Sequence, residues 1–78
     1  MDFTLNMRDT IKNTLIELRV ANNLTQTDVG KVVGKSKTAV ASWEQGLSLP
    51  DPVTLYRLAK YYGKSMDYMY GLKGGKEQ

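Results

Sequence analysis

Along the first part of the chain, apolar residues recur with the period of a helix. Met7, Ile11, Leu15 and Leu18 fall at i, i+4, i+8 and i+11, a single stripe along one side. Asn6 is a suitable N-cap for this first helix, with Asp9 in its first turn, and the pair Asn22-Asn23 suits a left-handed ending. Before Met7 the pattern differs. Asp2 to Met7 alternates polar and apolar with period two, which fits either an extended arm over residues 1–6 or an earlier start of the helix. A second helix opens at Thr25, where Asp28 three residues on completes an approximate capping box, and Val29, Val32 and Val33 supply its apolar side until Gly34. Ser36 caps a third helix that runs to about Gln45 and ends at Gly46. Val40, Trp43 and Leu47, at i, i+3 and i+7, are expected to face the core. Asp51-Pro52 starts a fourth helix with proline at its first position, carrying Leu55, Leu58, Ala59 and Tyr62 inward and closing at Gly63. Ser65 starts a short fifth helix through Tyr70, closed by Gly71. Residues 72–78 read as a flexible polar tail. The expectation is an all-α domain of five short helices over residues 7–71.

Composition narrows what such a domain does. A chain of 78 residues holds one lean core, and it contains no cysteine and no histidine. Disulfide staples, zinc fingers, thiol nucleophiles and imidazole acid–base chemistry are therefore excluded, and no metal or cofactor is expected. No apolar run is long enough to span a membrane, and no signal peptide is expected. The charge is +3, from 11 Lys and Arg against 8 Asp and Glu, which permits an acidic partner without proving one. An enzyme is not expected.

The candidate chemistry lies between the second and third helices. Gly34-Lys35 is too short a connection for the two to run antiparallel side by side, and a brief glycine-containing turn sets them at a steep angle, as in a helix-turn-helix. Opposite Val40 and Trp43 the third helix carries Lys37, Thr38, Ala41, Ser42 and Gln45, all short or polar and none acidic. Lys31, Lys35 and Lys37 lie between Asp28 and Glu44 with no carboxylate among them; Lys31 reads as a solvated charge. Such a helix suits a major groove ~12 Å wide, and the free amides of Gln26 and Thr27 suit a phosphate oxygen.

Four segments in order now resemble the phage-repressor and Cro type of helix-turn-helix protein, the XRE family. They are LIELRVANNLTQ, TQTDVGKVVGKSKTAVASWEQG, LPDPVTLYRLAKYYG and SMDYMYG, spanning roughly Met7 to Gly71. The resemblance implies a five-helix fold like that of lambda repressor and a cytoplasmic, nucleoid-associated regulator that binds double-stranded DNA, most simply as a homodimeric repressor on a palindromic operator. It implies that Ser36, Lys37, Thr38 and Ser42 reach base edges, and that Thr25, Gln26 and Lys35 contact phosphate. Arg19 and Glu44 match a structural ion pair inside the domain.

Two departures stand out. Gly30 occupies a close-packing position where relatives usually have alanine, and is expected to fit sterically at a cost in helix stability of ~1 kcal/mol. Leu47-Ser48-Leu49 lacks the basic residues that some relatives place against the DNA backbone. With the modest charge, this keeps open an antitoxin-like or regulatory protein-interaction module of the same fold.

The tyrosines raise a separate expectation. All five lie between Tyr56 and Tyr70, interleaved with Met66 and Met69, more than so small a core can bury. Tyr62 and Met69 fit core positions. Tyr61, Met66, Tyr68, Tyr70 and Leu72 are expected to form a dimer interface, with Phe3-Thr4-Leu5 as an optional addition. No small-molecule effector is evident.

Overall fold

The computed structural model describes residues 3–72, with side chains from Met7 onward. Five helices follow one another: α1 (Phe3–Ala21), α2 (Gln26–Val33), α3 (Lys37–Glu44), α4 (Pro52–Tyr62) and α5 (Met66–Met69), with no strand among the described residues. The fold class is the expected one.

The start of α1 corrects the arm reading. The helix begins at Phe3, so Asn6 is an interior residue rather than its N-cap. Six alternating residues have no partner strand to satisfy their backbone, and neither glycine nor proline separates them from the stripe that follows. Extending an existing helix adds one hydrogen bond per residue fixed, so the α1 stripe carries the backbone with it. The polar tail expected over residues 73–78 lies outside the described residues.

Local signals set the other boundaries. Asn23 takes positive φ after α1. Thr25 accepts from the Asp28 backbone N–H at 3.0 Å while the Asp28 carboxylate accepts from the Thr25 N–H at 2.9 Å, a complete capping box. The bond from the Thr25 backbone N–H, with the Thr25 hydroxyl beside it, holds the Asp28 carboxyl below the usual carboxylate range. Ser36 and Ser65 cap α3 and α5 through their hydroxyls. Asp51 stands at the N-cap of α4 without capping the backbone through its side chain; a hydrogen bond from the Thr54 side chain instead holds its carboxyl low.

The core brings all five helices together. Ile11, Leu15 and Leu18 of α1, Val29 and Val33 of α2, Val40 and Trp43 of α3, Leu55, Leu58 and Ala59 of α4, and Met69 of α5 are all buried. The assignments of Trp43 and Met69 to the core follow from this, and Tyr62 packs partly buried against it. Two expectations fail. Leu47 is 68% exposed, because Gly46 at φ 76° ends the helical phase on which its inward position depended. Val32 is also exposed, since Val29 and Val33, at i and i+4, already complete the buried stripe of so short a helix.

Candidate nucleic-acid interface

The α2–α3 turn is closed from within the backbone. The N–H groups of Gly34, in left-handed conformation, and of Lys35 both point to the Gly30 carbonyl, the latter at 2.8 Å. This brings the Lys35 carbonyl against the Gly30 Cα. A β-carbon at residue 30 would overlap that oxygen, so the position does not accept alanine without a backbone shift. The expectation that Gly30 merely costs propensity is thereby corrected: absence of a side chain permits this turn.

Arg19 and Glu44 meet across the interior. Arg19 Nε donates to Glu44 Oε2 at 2.7 Å and Arg19 Nη2 to Oε1 at 3.0 Å, a two-pronged pair whose side chains are 20% and 7% exposed. A third donor of the guanidinium, Nη1, reaches the Leu24 carbonyl at 2.9 Å, which ties the α1–α2 loop to the same point. The hydrogen bond to Glu44 raises the Arg19 pKa, against the opposing effect of burial. Gln26 joins this network: its Nε2 donates to Glu44 Oε1 at 3.1 Å. The Gln26 side chain is therefore an internal strut between the start of α2 and the end of α3. Its backbone N–H, with that of Thr27, remains in the first turn without an intrahelical acceptor.

The outward side of α3 carries the other expected residues. Ser36, Lys37 and Thr38 are exposed, and Ser42 is half-buried beside Ala41. Lys35 is exposed in the turn. Ser36 holds the Ala39 N–H at 3.1 Å, so its hydroxyl first serves α3 itself. The Ser42 hydroxyl lies 2.7 Å from that of Ser48. Ser48 was not singled out by sequence reasoning, because nothing in spacing alone shows that the chain turns back at Gly46. Arg8 was missed too; its Nη1 lies 3.4 Å from the Leu47 carbonyl, a contact 39 positions away in sequence. It lends a cation to a loop that has none of its own.

The expected interface residues are divided by the fold. Tyr61 and Leu72 are exposed, at 51% and 62%. Met66, Tyr68 and Tyr70 instead pack partly buried against the core, and the Lys64 ammonium sits 4.6 Å from the centre of the Tyr68 ring. They turn inward because α5 is only one turn long and docks with Met69 fully buried. The exposed patch is thus narrower than the row of tyrosines suggests. The side chains of Phe3, Thr4 and Leu5 lie outside the described residues. Among the described residues no cluster of metal-ligating side chains occurs, and no helix is long and apolar enough to cross a membrane.

A capped α2, a glycine-closed turn and an α3 with an acid-free outer side define a helix-turn-helix unit of the kind found in DNA-binding regulators. The helix-turn-helix family profile matches residues 15–69, and the chain belongs to that family, the XRE type. A protein of Methanocaldococcus jannaschii described as an uncharacterized HTH-type transcriptional regulator is 30% identical over 60 residues, covering 77% of this chain and 91% of its own length. No solved structure matches.

Proposed function

We propose that the protein is a transcriptional regulator that binds double-stranded DNA sequence-specifically, acting as a homodimeric repressor on a palindromic operator in the cytoplasm. The observation that carries this reading is the acid-free outer side of α3, held at a set angle by the Arg19–Glu44–Gln26 network at its far end. Lys37 and Thr38 are the primary base readers, with Ser42 deeper in the groove. The N–H groups at the start of α2, Thr25 and Lys35 meet the phosphates. The Gln26 side chain acts chiefly by placing α2 against α3. Two such units about 34 Å apart read a palindrome that one alone reads too briefly to be selective.

Support for dimerisation comes from Tyr61 and Leu72, the exposed members of the patch near α5. A typical specific interface buries ~800 Å² per partner, so a patch this narrow favours a dimer that forms weakly in solution and tightens on DNA. Sedimentation over a range of concentrations, with Leu72→Lys beside the parent, tests it. Equal association of both proteins would move the interface elsewhere.

A protein-interaction module is the second reading, favoured by one observation: Leu47 and Leu49 are exposed in a loop that carries no cation of its own. Titration of mixed duplex DNA at several salt concentrations separates the two. A DNA binder releases counterions and weakens steeply with salt even without its operator, whereas the module shows no salt-dependent shift. Selection from a random duplex pool then gives the operator.

A further inference from the structure

We infer that Ser48, in the α3–α4 loop, sets the base preference of the recognition helix by fixing the hydroxyl of Ser42, without itself touching DNA. The inference rests on the proposed role of Ser42 as a base-contacting residue. Its own basis is geometric. The Ser42 carbonyl accepts from the Leu47 N–H at 3.0 Å, and the Ser42 and Ser48 hydroxyl oxygens lie 2.7 Å apart. The chain is therefore pinned twice to one residue of α3, across a turn that the positive φ of Gly46 makes possible.

A serine hydroxyl has one proton and two lone pairs, and on an open helix face it rotates to suit whatever it meets. A lone Ser42 would donate to a guanine or thymine oxygen as readily as it would accept from the amino group of adenine or cytosine. The bond to Ser48 restricts that freedom. When Ser48 donates, it occupies one Ser42 lone pair, and Ser42 keeps its proton and the other lone pair in set directions. When Ser42 donates, only lone pairs remain for a base amino group. Either hydroxyl can be the donor in the pair, and in each state the bond fixes the directions left to Ser42. Ser48 is half-buried in the loop, which restricts its own rotation. It is a positioning residue, one contact removed from the DNA.

The experiment is selection of bound sites from a random duplex pool by the parent, Ser48→Ala and Ser48→Thr, with thermal melts and the salt dependence of mixed-duplex binding for each. Ser48→Ala is expected to reduce the preference at one base pair per half-site by about threefold to tenfold, the worth of one ordered hydrogen bond. Every other position and the salt dependence should be unchanged, the melt should fall by no more than the few degrees that one lost hydrogen bond costs, and Ser48→Thr should restore the preference. An unchanged motif for Ser48→Ala overturns the inference. So does a uniform loss across all sequences with a lowered melt, which marks a loop brace and nothing more. Failure of the parent to select any motif has a different meaning: the DNA-reading function itself then fails, and Ser48 with it.

Discussion

Replacing Glu44 by alanine strips the Arg19 guanidinium of two of its hydrogen bonds and leaves Gln26 Nε2 without its acceptor, since one carboxylate accepts all three bonds. The cost lies between two known limits. Exposed ion pairs contribute ~0.2–1 kcal/mol, whereas breaking a buried pair on one side costs ~3–5 kcal/mol. Glu44 is sheltered, but Arg19 retains some water and keeps the Leu24 carbonyl as an acceptor. Glu44→Ala should therefore destabilise the domain by about 2–3 kcal/mol. At roughly 0.05–0.15 kcal/mol per residue, a domain of this size has only ~4–12 kcal/mol in total. With a fall of about 4–8 °C per kcal/mol, the melting temperature should drop by roughly 10–20 °C. Circular dichroism of the parent, Arg19→Ala, Glu44→Ala and the double variant measures both the cost and the coupling. The double variant should lose clearly less than the two single losses added, because removing both charges leaves neither uncompensated. A drop under about 3 °C, or single losses that add within ~0.3 kcal/mol, would refute the claim that this network sets the placement of α2 and α3.

Gly30→Ala should lower stability by about 1–2 kcal/mol despite alanine's better helix propensity, because its β-carbon meets the Lys35 backbone; denaturant unfolding that shows a gain would contradict this account of the turn. Lys37→Ala should cost ~1–3 kcal/mol on the selected operator and relax the preference at one base pair, and an equal loss on every sequence would reduce Lys37 to a phosphate contact. Burial pushes the Tyr62 hydroxyl up to about 12, against an ordinary value of 10.0. Between those values the unfolded chain loses the proton first, so Tyr62 should contribute a loss of stability as pH rises through this range. In Tyr62→Phe the absorbance titration at 295 nm should lack its last component above pH ~11, and its persistence would assign that component to another tyrosine.

Most of the helix boundaries, caps and core were legible in the chain because they depend on neighbours within one or two turns. Thr25 with Asp28, Ser36, and the stripes through Leu15, Val40 and Leu58 are local patterns, and local patterns act wherever the chain goes. The Arg19–Glu44 match came from likeness to a family, since spacing alone cannot bring residues 25 positions apart into contact. Periodicity misled where its premise ended: Leu47 lies beyond the turn at Gly46, and the alternation before Met7 was too short to resist the helix beside it. Four things were decided by packing alone. Gln26 Nε2 finds Glu44, Ser42 finds Ser48, Lys35 closes on Gly30, and α5 draws Tyr68 and Tyr70 toward the core while leaving Tyr61 and Leu72 outside. Each depends on where a turn sends the chain, a quantity fixed only when several helices bury their apolar sides together. The sequence thus determined the elements and the kind of surface α3 presents, and the tertiary structure decided which of those side chains are spent within the domain and which remain on its surface.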